Sequence, residues 1–372
     1  MTTSTPTRAA QPLTTRAFEP ADWYCRAATA VAAPADEPSR DPPLNQVLPG
    51  DALSRLRLLP DQSIDCVVTS PPYHLLRNYD AGPDELGTET HVDEYVDRLV
   101  KVCDEIARVL TPHGGLWLNL GDSFSRGPRY GAPAKSQLLA PERVALRLIE
   151  RGWVLRNKIV WAKRNAMPAS VDDRLNTKWE PLFFFVRSKR YFYDLDAIRE
   201  PHETTRHPRP FNHSAKYLGP RAPWSGPLAG KNDGLERARA EGRAGHPLGK
   251  NPGDVWTIGT TSYRGSHFAV FPKGLAHKPI IVGCPERVCR GCGRPWQRER
   301  RRDRLGEMKP SCRGCNAGWR PGRVLDPFLG SGTVAVVAED LGRDWLGIEL
   351  NPAFVAMANA RVEAARRQGG RR

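Results

Sequence analysis

The sequence predicts an α/β fold: a mostly parallel sheet with helices on both faces and an antiparallel pair at one edge. Three observations predict it. A β-branched run, Cys66-Val67-Val68-Thr69, reads as a buried strand that stops at Ser70, Pro71 and Pro72, because proline cannot continue a ladder. Apolar residues Val96, Leu99, Val100, Cys103, Ile106, Ala107 and Leu110 recur at helical spacing over residues 92–110. The closing stretch GRVLDPFLGSGTVAVVAEDLGRDWLGIELNPAFVAMANARVEAARR reads as strand, glycine turn, helix, strand, helix.

Residues 1–43, rich in Ala, Pro and Thr, read as a disordered leader. Residues 44–200 form the first half of the fold. NQVLPGDALSRLRLLPDQSIDCVVTSPPY reads as strand, acidic turn, short helix and strand, a βαβ half-unit. TPHGG then ends the helix of residues 92–110, LWLNL (116–120) is a strand, and a second helix spans about 141–151. VLRNKIVWAK and EPLFFFVRSKRYFYD read as two further strands, the antiparallel pair. Residues 201–262 are rich in Gly, Pro and base without periodicity; they are either a disordered insertion or a loop-built recognition surface. Residues 263–283 lead towards the last strands, 284–320 hold a cysteine-rich insertion, 321–366 form the closing half, and 367–372 are a basic, frayed tail.

In VLDPFLGSGT, Asp326 ends a strand, and Gly330 and Gly332 precede a helix starting near Thr333. Small residues let backbone approach a ligand, and a helix N-terminus offers N–H groups. Glu349, sixteen residues after Thr333, ends the next strand, where an acid can accept both hydrogen bonds of a ribose diol. An ordinary tight βα turn would look similar, and the full G-x-G-x-x-G spacing is absent. Asp326 would repel a pyrophosphate, so a cofactor bearing an ammonium group suits it better, which points to S-adenosylmethionine.

Together DPFLGSGT, GIELNPAF and TSPPY resemble the DNA amino-methyltransferases of the circularly permuted β group, over roughly residues 45–361. HFAVFPKGL (267–275), GDAL (50–53) and IVWAKRNAMPASVDDRLNTKWEPLFFFVRS are similar to other framework segments of that family. The resemblance implies a Rossmann-like S-adenosylmethionine-dependent methyltransferase fold, with the catalytic half first and the cofactor half last. It implies cofactor contacts from Asp51, Asp326, Phe328, Gly330, Ser331, Gly332, Thr333 and Glu349, with Asp51 facing the adenine.

Ser70, Pro71, Pro72 and Tyr73 are the candidate catalytic residues. An exocyclic base amine is a poor nucleophile, because its lone pair is delocalised into the ring. Acceptors that hold both N–H bonds favour a pyramidal nitrogen. The Ser70 hydroxyl and the Pro71 carbonyl can supply them, and proline pre-aims both. Tyr73 can stack on a base swung out of the duplex. A strand merely ended by a proline turn, with Tyr73 as a core aromatic, is the plainer alternative. Ser at the first position resembles cytosine-N4 members of the family, with adenine N6 as the alternative. Carbon-5 methylation needs a thiol nucleophile; Cys284 follows glycine, Cys66 lies within a strand, and Cys25 and Cys103 read as leader and helix-core thiols.

CRGCGRPW (289–296) and CRGCNAGW (312–319) are near copies. Two C-x-x-C knuckles at this separation predict a zinc ribbon with Cys289, Cys292, Cys312 and Cys315 as ligands of a structural Zn²⁺. Arg298, Arg300, Arg301, Arg302 and Arg304 lie between the knuckles. They are either a solvated face or a grip on DNA phosphates beside the cleft.

A net charge of +15 favours a polyanionic partner. No run of about 18 apolar residues and no signal-peptide pattern is present, which predicts a cytoplasmic protein. The expected activity is methylation of the cytosine N4 amine in double-stranded DNA, in a restriction-modification, phage or epigenetic setting, with a restriction nuclease as a possible companion. A zinc-bearing DNA-binding protein without catalysis is the rival of another class. Monomer and homodimer are equally compatible with the sequence.

Overall fold

The computed structural model describes residues 41–79, 82, 84–202, 246, 248–262, 269–301, 304–312 and 314–369. Residues 1–40 of the expected leader, most of 201–262 and the last three residues lie outside the described residues. Strands β1 (Gln46–Pro49), β2 (Ile64–Thr69), β3 (Leu110–Asn119), β4 (Val154–Lys163), β5 (Trp179–Val186) and β6 (Val255–Ile258) share one sheet with two later strands. Short pairs β7 (Thr261–Ser262) and β8 (Ala269–Val270), β9 (Arg287–Cys289) and β12 (Trp319–Pro321), and β10 (Gln297–Arg298) and β11 (Met308–Lys309) lie apart from it. The later sheet strands are β13 (Arg323–Asp326) and β14 (Asp344–Glu349). The helices are α1 (Ala52–Arg57), α2 (Val92–Val109), α3 (Ala140–Glu150), α4 (Lys273–Gly283), α5 (Thr333–Asp340) and α6 (Pro352–Gly369).

The eight strands lie in the order β1-β14-β13-β2-β3-β5-β4-β6. Only β5 is reversed, being antiparallel to both β3 and β4, while β4 and β6 are parallel. The reversed strand therefore lies inside the sheet rather than at an edge, and β6 was not legible in a loop-like stretch. The βαβ half-unit is also split: β14 and β13 enter between β1 and β2.

Alternation along the strands sorts side chains between two cores. Val67, Leu116, Leu118, Phe183 and Phe185 meet α1, α2 and α3 on one face. Cys66, Val68, Trp117, Leu182 and Phe184 meet α4, α5 and α6 on the other. Strands covered on both faces are buried throughout, as β2 is over all six residues. Trp117 and Phe184 stack at 4.1 Å across β3 and β5, tying the parallel part to the reversed strand.

Three boundaries differ from expectation. TPHGG belongs to β3: Ile64 pairs with Leu110 but Cys66 with Gly115, so an irregularity absorbs the extra residues. Strand β5 ends at Val186, before the expected RSKRYFYD. Residues 367–369, expected to be frayed, continue α6.

Candidate active site

A cavity of about 520 Å³ opens at the carboxyl ends of β2, β13 and β14. It is lined by Ser70, Pro71, Pro72, Tyr73, Asp51, Asp326, Phe328, Gly330, Ser331, Thr333 and Glu349. Parallel strands carry all their carboxyl ends to one edge, so residues far apart in sequence meet there. Gly332 is the exception. Its φ is +81°, and a Cβ would lie 3.0 Å from Ala358, so it is needed for the turn and for packing α5 against α6.

Asp326 is buried, and its Oδ1 accepts from the Thr69 hydroxyl at 2.7 Å and the Phe328 N–H at 3.1 Å. Burial pushes its carboxyl up to about 7. Among the described residues no cation is ion-paired with it. Glu349 is 8% exposed and is held by the N–H groups of Gly330 (2.7 Å) and Asn351 (2.8 Å); burial raises its pKa. The glycine turn thus spends its Gly330 N–H on positioning Glu349, rather than offering it to a ligand. Hydroxyls of Ser331 and Thr333 accept from Arg361 of α6, at 2.6 and 3.2 Å. Asp51 caps α1 by accepting from the Ser54 N–H at 2.8 Å, and still lines the cavity. Two acids, one with an oxygen left for a donor and one with spare lone pairs, fit a cationic nucleoside such as S-adenosylmethionine.

On the other wall, the Ser70 hydroxyl lies 3.2 Å from both the Tyr73 hydroxyl and Asn119 Oδ1. Tyr73 donates to Glu180 Oε2 at 2.7 Å and lies 2.9 Å from Asn119 Oδ1. Lys163 is ion-paired with Glu180 Oε1. Burial, then the Glu180 charge, holds the Tyr73 phenol well above its ordinary pKa, so it stays protonated. Gly121 lets the ring lie close against the backbone, since a Cβ there would come within 2.4 Å of it. Asn119, Lys163 and Glu180 were missed by sequence reasoning, as was Thr69. For Lys163 and Glu180 the signal was the framework segment 159–188, for Thr69 its place at the head of TSPPY, and for Asn119 only its place in the strand LWLNL.

Cys66, Cys103 and Cys284 are buried, and burial pushes each thiol up. No cysteine among the described residues lines the cavity. Cys25 lies outside the described residues.

The four knuckle sulfurs lie within 4.8 Å of one another. N–H groups of Cys292 and Gly291 pull Cys289 down to about 7, while neighbouring sulfurs push Cys312 and Cys315 up. One thiolate discouraging the next is what a dication relieves, so the donor set fits Zn²⁺. Both repeated tryptophans flank Arg287, whose guanidinium lies 5.0 Å from the Trp296 ring and 4.4 Å from Trp319.

Two expectations for this module change. Arg298 is no free cation: Asp194 accepts from its Nε at 2.8 and 3.1 Å, and the Gly306 carbonyl from Nη1 at 2.7 Å. Arg301 pairs with Glu299; Arg300 and Arg304 are exposed, and Arg302 lies outside the described residues. The module also does not flank the cavity. Helix α4 carries the chain from Phe271, at the cavity, back to the amino ends of the strands. There Arg320 pairs with Asp65 at 2.6 Å, roughly 16 Å along β2 from Ser70 at ~3.3 Å per residue.

A glycine turn and two buried acids beside a rigid Ser-Pro-Pro-Tyr corner, on such a sheet, define the class of α/β methyltransferases. The comparisons narrow it. The model of the DNA methylase family, which embraces N6 and N4 enzymes, matches residues 64–360. Similar curated proteins include the type II methyltransferase M.SfiI of Streptomyces fimbriatus, 32% identical over 82% of this chain and 88% of that protein. M.Cfr9I of Citrobacter freundii is 35% identical over 84% and 86% respectively. Among solved structures, the PvuII DNA methyltransferase (cytosine-N4-specific) shares the fold, with a TM-score of 0.52 and 19% identity over 85% of each chain. The chain belongs to the DNA methylase family of amino-methyltransferases.

Proposed function

We propose that this protein transfers a methyl group from S-adenosylmethionine to the N4 amine of cytosine in double-stranded DNA. The observation that carries the reading is the Ser70 hydroxyl, set in the cavity by Asn119 and Tyr73. A neutral hydroxyl in this place resembles the cytosine-N4 members of the family. Ser70 and the Pro71 carbonyl hold the amine, and Tyr73 lies against the base. Asp326 takes the ammonium group, Glu349 the ribose diol, and Phe328 and Asp51 line the remaining wall. Bound there, S-adenosylmethionine supplies an electrophilic methyl carbon on a sulfonium, so the chain's task is positioning. Catalytic strand β2 precedes cofactor strand β13, which supports the permuted order. Digesting methylated DNA to nucleosides tests the base: N4-methylcytosine is expected, and N6-methyladenine alone overturns the assignment. The relatives' designation as type II methyltransferases supports a restriction-modification role, with a nuclease of matching site specificity as companion.

Cys289, Cys292, Cys312 and Cys315 hold a structural zinc ion in this reading, since four thiolates leave no open position. Metal analysis should find one zinc per chain, and Cys315→Ser should lose it and melt several degrees lower. Metal-free wild-type protein with an unchanged melting temperature would reject the site.

A further inference from the structure

Methyl transfer leaves a proton to be removed. As the amine nitrogen gains its methyl group it becomes cationic, and one N–H bond must break with its electron pair staying on nitrogen. Neither the Ser70 hydroxyl nor the Pro71 carbonyl can keep that proton at neutral pH. Asn119 is a neutral amide: its Oδ1 aligns the Ser70 and Tyr73 hydroxyls but cannot serve as a base. Among the described residues, the one carboxylate in hydrogen-bond contact with this cluster is Glu180, which meets Tyr73 at 2.7 Å.

We propose that Glu180 is the final acceptor of the proton released by the target amine, reached from Ser70 through Tyr73. This rests on the amino-methyltransferase reading of the cavity. The amine proton passes to Ser70 Oγ. The hydroxyl proton of Ser70 moves to Tyr73 Oη across 3.2 Å, and that of Tyr73 moves to Glu180 Oε2 across 2.7 Å. Each oxygen gains one proton and gives up one, so only the amine and Glu180 change protonation state. Burial keeps Tyr73 a phenol, which suits a relay and not a standing base. Lys163, ion-paired with the other carboxylate oxygen, compensates the Glu180 charge while the acid is ionised. The Asn119 Nδ2 donates to the Pro181 carbonyl at 3.1 Å, which fixes the amide between the hydroxyls and Glu180. The role assigns β5, the reversed strand, a part in the chemistry: its register against β3 delivers Glu180 beside Asn119.

The test is single-turnover methyl transfer to DNA by the full chain across pH 5 to 9, at S-adenosylmethionine concentrations that saturate at every pH, with cofactor affinity measured separately. Glu180→Gln should slow transfer about 10²-fold, abolish the acidic limb of the pH–rate profile and leave cofactor affinity within about two-fold. Tyr73→Phe should slow transfer comparably, and the double variant should be no slower than the worse single one, because both cut one path. Glu180→Asp, which keeps a carboxylate, should restore an acidic limb. An unchanged pH profile in Glu180→Gln, or additive losses in the double variant, overturns the proposal while leaving the methyltransferase reading intact. Wild-type protein that methylates no DNA overturns both.

Discussion

Asp326→Asn should melt a few degrees above wild type at pH 8 while losing about 10²-fold in affinity for S-adenosylmethionine. Both effects have one cause. The carboxyl sits at about 7 in the folded protein against 3.8 as a free side chain. Between those values the folded chain binds a proton that the unfolded chain does not, so stability falls as pH rises from about 4 to about 7 and is level above. The ionised, buried group costs at most about 4 kcal/mol at pH 8, at ~1.4 kcal/mol per pKa unit. Asparagine keeps the acceptor for Thr69 and the Phe328 N–H without the charge. Calorimetry at pH 8 and pH 4 separates the outcomes: the gain should vanish at pH 4. Wild-type affinity for the cofactor should rise with pH to about 7 and then level, since the ammonium group needs the ionised acid; the asparagine variant should lack this dependence. Equal melting temperatures at pH 8 would mean that Asp326 is not strained by burial.

Ser70→Ala should reduce single-turnover methyl transfer by about 10²- to 10³-fold, the cost typical of removing one positioned polar group in a buried site. Tyr73 keeps its bonds to Glu180 and Asn119, so the corner should hold its shape. Cofactor affinity should stay within about two-fold, because the cofactor wall is built from β13, β14 and the turn between β13 and α5. Isothermal titration alongside the rate measurement decides the matter. A parallel fall in affinity and rate would make Ser70 a structural residue.

Ser70, Asp326 and Glu349 were legible in the sequence because each lies in a short motif whose residue types state their chemistry. Asn119 and Glu180 were not, because they converge only through the pairing of β3 with β5, and register between distant strands leaves no local pattern. The Cys₄ cluster was legible from spacing alone, yet its place was not. The length and direction of α4 decide which end of the sheet the module leaves from, and nothing in the knuckles encodes that. Arg298 shows the same limit: a charge run gave its sign, while Asp194, over a hundred residues earlier, gave it a partner.

The pairing of β2 with β13 also orders events at the ribosome. Thr69 and Asp326 are 257 residues apart, a gap of roughly 13 to 50 s of synthesis at ~5–20 residues per second. Over most of that interval the strand IDCVVT, buried in the finished fold, has β3 as its only sheet neighbour, and an open edge rich in β-branched residues invites pairing with other chains. The nascent chain therefore waits, with that edge exposed and Asp326 not yet made, until β13 emerges. Its yield in the cell should depend on chaperones that hold unfinished chains.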